Sequence, residues 1–287
     1  METKVKEIKF NDDNEVIEYL LKLAENGNLV FRGVSSEYNN NEYLRPKLLR
    51  KGFDIKEEFK ILADFEYYGS GFYSVNTTIE FLACAQHYGL PTRLLDFTKN
   101  PLVALYFSIK ENKNGPYYIV YADTNENILV RNLRRSPISK HSVTDNDSSM
   151  YKRAQNLILD IERVFNDRMD KIEFLMFEPT AGINGDFEWR TVSDIMMGKL
   201  LFVSPSLANE RMLHQQGLFM FPYKNNIFEY DQIFSENTNC LEIPNEFRDK
   251  LLNKLDRMGI NSYNLMPDLS SICREIELSY KNNKHIL

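Results

Sequence analysis

An arginine followed directly by a glycine, Arg32-Gly33, is the first pair in the chain equipped for chemistry. The planar guanidinium offers a bidentate fork to an anion, and a glycine lets backbone come close to whatever the fork holds. Farther on, Gln86, His87, Thr92, Arg93 and Asp96 fall in one short stretch. Arg93, with Arg45 as a further donor, would add positive charge to the same pocket, and together these arginines point to a phosphate-bearing ligand. The competing reading is a buried salt bridge in which Arg32 or Arg93 pairs with Asp96 to fix the fold.

His87 adjoins the loop that bears Thr92, so its imidazole could serve a ligand there as base, acid or hydrogen-bond donor. A helix-end cap or a satisfied core group is the alternative. Asp96 sits in the apolar run Leu94-Leu95-Asp96-Phe97; if buried it needs a partner, and it suits orienting an Arg or His better than acting as a nucleophile. Gln215 and Gln216, ahead of Gly217, supply amide donors and acceptors of the kind that read a ribose or a base, or they simply close a helix.

The elements that would position these residues follow from periodicity. Val16, Ile17, Leu20, Leu21, Leu23 and Ala24 give an amphipathic helix over 14–26, behind an Asp/Asn cluster and before Gly27. Leu29-Val30-Phe31 reads as a strand ending on Arg32 and Gly33, so that Arg32 projects near a strand terminus. Ile55, Phe59, Leu62, Ala63 and Phe65 suggest a second helix. Thr77 and Glu80 form a capping box for a third, with Gln86 and His87 on its last turn. Leu94 and Leu95 suggest a short buried strand, and Asn100-Pro101 is an N-cap and first-turn pair for a helix through Tyr106.

Two strands, 116–122 and 127–130, read as a hairpin around a turn at 123–126. The polar stretch 136–149 marks a loop, followed by a helix over about 151–165. Short apolar runs at 174–177 and 199–203, and a helix over 207–215 leading into a strand at 218–221, complete the middle of the chain. Phe247, Leu251, Leu252 and Leu255 share one face of a helix begun near Pro244, and a last helix starts near Pro267; these would buttress or cover the sheet.

Composition narrows the classes. Hydrophobic content of 43% with 26% charged residues is that of a folded domain. A net charge of −6 argues against non-specific coating of nucleic acid, whose affinity comes from Lys and Arg neutralising phosphates. Three widely spaced cysteines fit free thiols in a reducing compartment, and the N-terminus lacks a secretory apolar run, so a cytoplasmic location with no membrane association is expected. The four histidines lack ligand spacing, and no metal is expected. No Gly-rich phosphate loop is present.

Phe31-Arg32-Gly33, Leu44-Arg45-Pro46 with Leu49-Arg50, the block from Phe81 through Gln86-His87-Tyr88-Gly89-Leu90-Pro91-Thr92-Arg93-Leu94-Leu95-Asp96-Phe97-Thr98, and Pro101 to Phe107 together resemble the FRG-domain family, named for an aromatic-Arg-Gly motif. The resemblance resumes at Ser204-Pro205, at Arg211 with Gln215 to Phe219, and at Leu265 to Leu269, and so spans about Leu29 to Ser270. It implies one FRG-type domain over 1–287, with 136–190 reading as an insertion and 244–287 as a C-terminal helical buttress.

A looser likeness connects the order of these motifs to ADP-ribosyltransferases of the Arg-Ser-Glu type. It implies that Arg32 would hold NAD and that Gln216 would stand where those enzymes carry a glutamate, although glutamine lacks the negative charge that an oxocarbenium-like state wants.

The expected fold is α+β, with a mixed, mainly antiparallel central sheet and peripheral helices. The expected site places His87, Gln216 and Asp96 in the catalytic role and Arg32, Gly33, Gln86, Thr92 and Arg93 around a nucleotide-type small molecule, with NAD as substrate. The expected activity is ADP-ribosyl transfer or NAD cleavage by an effector of a bacterial toxin or phage-defence system, with a macromolecular acceptor or a regulatory protein as partner. A nucleotide-binding or sensing module without turnover is the first alternative, and a metal-independent nuclease the second.

Overall fold

Residues 29–35 alternate between two buried environments and form the strand around which the rest is arranged. The computed structural model describes residues 5–6, 8–25, 27–35, 44–50, 52–53, 57–74, 78–111, 114–131, 198–204, 210–222 and 227–281. Its strands are β1 (Val5–Lys6), β2 (Leu29–Ser35), β3 (Leu95–Thr98), β4 (Tyr117–Asp123), β5 (Ile128–Arg131), β6 (Leu201–Ser204), β7 (Gly217–Met220) and β8 (Asn239–Ile243). They make one sheet in the order β1-β8-β4-β2-β3-β7-β6-β5. The outermost pairs, β1 with β8 and β5 with β6, are parallel, and all other pairs are antiparallel. The expected α+β class with a mainly antiparallel sheet is what the chain adopts.

The helices are α1 (Asp13–Ala24), α2 (Glu58–Gly69), α3 (Thr78–His87), α4 (Pro101–Ile109), α5 (Glu210–His214), α6 (Ile227–Asn237), α7 (Arg248–Arg257), α8 (Ser262–Leu265) and α9 (Leu269–Lys281). Local signals set the best-defined starts. Asp12 caps α1 by accepting from the backbone of Asn14 and Glu15, and Asn100 caps α4 by accepting from Leu102 N. The Thr77–Glu80 capping box has its threonine outside the described residues. So do the loop and helix expected over 136–165, the apolar run at 174–177 and the insertion at 136–190.

Three apolar clusters hold the layers together. On one face, Val16 and Leu20 of α1, the whole of α4, and Leu251 and Leu255 of α7 bury Phe31, Ile119 and Leu241 of the β8-β4-β2 half. On the same face but over the other half, Leu62 of α2 and Ile79, Leu82 and Ala85 of α3 cover Val203 and Phe219 of β6 and β7. The opposite face packs Val30, Val34, Phe97, Val120 and Phe202 beneath Tyr230 and Phe234 of α6.

Two local expectations are corrected. Arg32 lies in the middle of β2, because the strand runs on to Ser35 while pairing with β4 along its whole length; backbone pairing carries it past the end of its apolar run. The segments 117–123 and 128–131 do not form a hairpin. The free edge of β4 is taken by β8, a partner distant in sequence, whereas β5 lies at the far edge beside β6. The turn chemistry between them is present, with Asp123 Oδ1 accepting from Asn125 N at 2.7 Å, but it does not fold the strands back on one another.

Candidate functional site

Asp96 is an exposed carboxylate on β3, a strand in the interior of the sheet, between two neighbours that are fully covered. A charge can remain solvated there only if the layer above has an opening. The two helix sets on that face leave one between α3 and α4, above the line where β2 meets β3. The junction is itself short: β2 and β3 pair at Phe31 and Thr98, whereas β2 and β4 pair from Leu29 to Ser35. The opening is a cavity of about 370 Å³. Its floor is Phe31 to Gly33 and Asp96 to Thr98, and its walls come from α3 (Ala83, Gln86, His87), α4 (Val103, Ala104, Phe107, with Lys110 and Glu111 beyond its end) and α5 (Arg211, Met212, Gln215).

Its polar groups are tied into an ordered set. Thr92, fully buried, donates its hydroxyl to Gln86 Oε1 at 2.5 Å, and Gln86 Nε2 donates to Asp96 Oδ1 at 2.8 Å. The threonine thereby fixes which end of the Gln86 amide faces the carboxylate, so Asp96 is oriented without being neutralised. Arg32 alternates onto the opposite face with Val30 and Val34, and its Nη1 turns into the junction to donate to the Asp96 carbonyl at 2.8 Å. Burial pulls the Arg32 pKa down, and the Asp96 carboxylate works against that fall; an arginine stays charged through such a change.

His87 closes α3 and lies half-buried, its Nδ1 3.4 Å from Nη1 of Arg211. Burial, then Arg211, pushes the imidazole pKa down, and Asp268 pushes back. The Asp268 carboxylate itself caps α9, accepting from Ser271 N at 2.8 Å and Ser271 Oγ at 2.7 Å, which holds its own pKa low.

Gly33 has a steric task. A Cβ built on it would stand 1.9 Å from the Ala104 carbonyl oxygen and 2.7 Å from Ser108 N. The glycine lets α4 lie directly on β2, and close approach to a helix, rather than to an anion, accounts for it.

Four expected residues are placed differently from the reading of the motifs. Arg93 is 7% exposed and points away from the cleft, its guanidinium gripped by Glu58, against the Pro222 carbonyl and 5.4 Å from the centre of the Phe221 ring. A buried arginine is the competing reading realised, with Glu58 in place of Asp96 as the partner. Arg45 is likewise committed to Asp231. Thr92 acts on the cleft through Gln86. Gln216 is exposed at a left-handed turn with φ 48° and does not line the cleft; its carbonyl accepts from Lys99 N at 3.1 Å. Gln215 lines it instead, donating its amide to the Leu265 carbonyl at 2.9 Å.

Residues 27–116 match the FRG domain. That segment is an FRG domain. The matched segment contains Phe31-Arg32-Gly33, the whole Gln86–Thr98 block and α4, which together supply the floor of the cleft and two of its walls. The third wall, α5, lies beyond the match, so Arg211 is joined to the FRG segment only by the fold. No curated protein and no solved structure matches the chain. Sequence reasoning missed Arg211, Lys110 and Phe107 as cleft residues. Arg211 lay in a motif already noted, and its spacing from Gln215 on one helix turn was the available signal.

Proposed function

We infer that this cleft takes NAD as substrate and cleaves the bond between nicotinamide and ribose, transferring ADP-ribose to water or to a macromolecular acceptor. The observation that carries the reading is the Asp96 carboxylate, solvated, aimed by Gln86, and set in a cavity that also offers aromatic surface and cations. Loss of nicotinamide leaves the bonding pair on the departing ring nitrogen, which becomes neutral, and positive charge grows on the ribose. A fixed carboxylate stabilises that charge more in the transition state than in the ground state. Asp96 thus takes the part for which the motif order had put forward Gln216, and it does so with the charge that glutamine lacks. In hydrolysis, the proton released by the incoming water passes to Asp96 or to the imidazole of His87.

The test is incubation of the purified protein with NAD labelled in its adenylate half, following nicotinamide release and label on protein or nucleic acid. The reading expects release, and a loss of about 100- to 1,000-fold in kcat in Asp96→Asn. If expression arrests growth, the same variant should relieve it, as an effector of a toxin or defence system requires. A second reading, a nucleotide sensor without turnover, is favoured by the commitment of Arg32 to the protein's own backbone. NAD bound but fully retained would decide for it.

A further inference from the structure

The cleft has one wall on which an arginine and a histidine from two separate elements meet. Arg211 on α5 and His87 at the end of α3 both line the cavity, with 3.4 Å between Nη1 and Nδ1. A guanidinium can only donate, so a hydrogen bond between the two requires Nδ1 as the acceptor, which assigns the imidazole proton to Nε2. The groups that face His87 are Arg211 on α5, Asp268 ahead of α9 and Tyr88, the next residue, at 5.0 Å between ring centres; Asp96, Lys110 and Glu111 line the same cleft. The Asp268 carboxylate already accepts from Ser271 through both oxygens. Asp96 is held by Gln86, and Glu111, with its side chain 66% exposed, stands beside Lys110.

We propose that His87 and Arg211 form an anion subsite that takes the diphosphate of a soluble nucleotide, and that His87 picks up a proton as the diphosphate binds. The proposal rests on the preceding reading only in taking the cleft as the ligand site. A diphosphate oxygen entering beside Nδ1 bridges the two groups: Arg211 donates to the anion, and His87, once protonated, donates to it from the nitrogen that had been an acceptor. Burial and then Arg211 push the imidazole pKa down in the free protein, and the anion offsets the second of these causes. One proton is taken up between the free and the bound pKa, so affinity rises as pH falls through that window, by up to about tenfold per pH unit. Above the window the imidazole stays neutral in both states and the dependence vanishes.

Calorimetric titration of the full chain with inorganic pyrophosphate, ADP-ribose and adenosine, in buffers of different ionisation heat between pH 5.5 and 8.5, reads all of this. The expected result is tighter binding of pyrophosphate and ADP-ribose at the acid end with net proton uptake, and much weaker binding of adenosine. Arg211→Gln should lose at least about tenfold for both anions, Arg211→Lys should recover part of it, and His87→Gln should bind with no proton uptake. The histidine resonances of the wild-type protein give an independent reading, since pyrophosphate should raise the His87 midpoint.

Pyrophosphate bound equally by wild type and a folded Arg211→Gln, proton-neutral binding, an unmoved His87 midpoint, or no binding of either anion would each overturn the proposal. Diphosphate binding of the expected kind without any nicotinamide release leaves the subsite standing and removes the NAD-cleaving reading. Nicotinamide release whose KM is indifferent to Arg211→Gln does the reverse.

Discussion

Arg93 and Glu58 form a pair whose side chains are 8% and 1% exposed, so neither charge has water to fall back on. Breaking such a pair costs far more than forming it gains, because the survivor is left buried and unpaired. Glu58→Gln is therefore expected to destabilise the fold by about 3–5 kcal/mol in urea denaturation, while Glu58→Gln with Arg93→Met recovers most of the loss. An additive double variant would show that the pair is not the unit. The residue identities at the site were legible in one dimension: Gln86, His87 and Asp96 stand out because polar groups interrupt an apolar run. Which arginine faced the cleft was not legible, since Arg32, Arg45, Arg93 and Arg211 look alike until Glu58 and Asp231 are seen to claim two of them.

Packing between α4 and β2 decides whether the floor of the cleft exists. Gly33 sits under Ala104 with no space for a side chain, and the atoms a Cβ would strike are backbone, which cannot rotate aside. Gly33→Ala should cost about 3 kcal/mol through displacement of α4, read as a lowered melting temperature. A variant melting like the wild type would mean that α4 shifts cheaply. The helices were readable from their caps and their 3.6-residue periodicity, as Asp12 for α1 and Asn100-Pro101 for α4 show. Strand pairing was not. The turn at 123–126 carries the turn-forming Asp123 and Asn125, yet β4 pairs with β8, because adjacency in a sheet is settled by long-range burial of Ile119, Val120, Cys240 and Leu241. The strand β8 itself and the helix α6 before it went unread in a stretch rich in Asn, Asp and Glu.

At the scale of the whole molecule, the described residues put two separate apolar clusters on one face of the sheet and one on the other. The cleft is what remains between the first two, over the short β2–β3 junction. That arrangement explains why the FRG segment, residues 27–116, supplies floor and two walls while α5 supplies the third. A ligand that spans the cleft bridges both halves, so saturating NAD or ADP-ribose should raise the melting temperature in proportion to the logarithm of its concentration. A flat response would mean that the folded protein does not bind the ligand.

The central claim is that Asp96, and not Gln216, supplies the charge for catalysis. The most direct measurement is nicotinamide release under saturating NAD by the wild type, Asp96→Asn and Gln216→Ala, with NAD affinity measured on each. The account predicts that Asp96→Asn loses about 100-fold or more in kcat at nearly unchanged affinity, while Gln216→Ala stays within about threefold of the wild type. Collapse of turnover in Gln216→Ala with Asp96→Asn left active would contradict it.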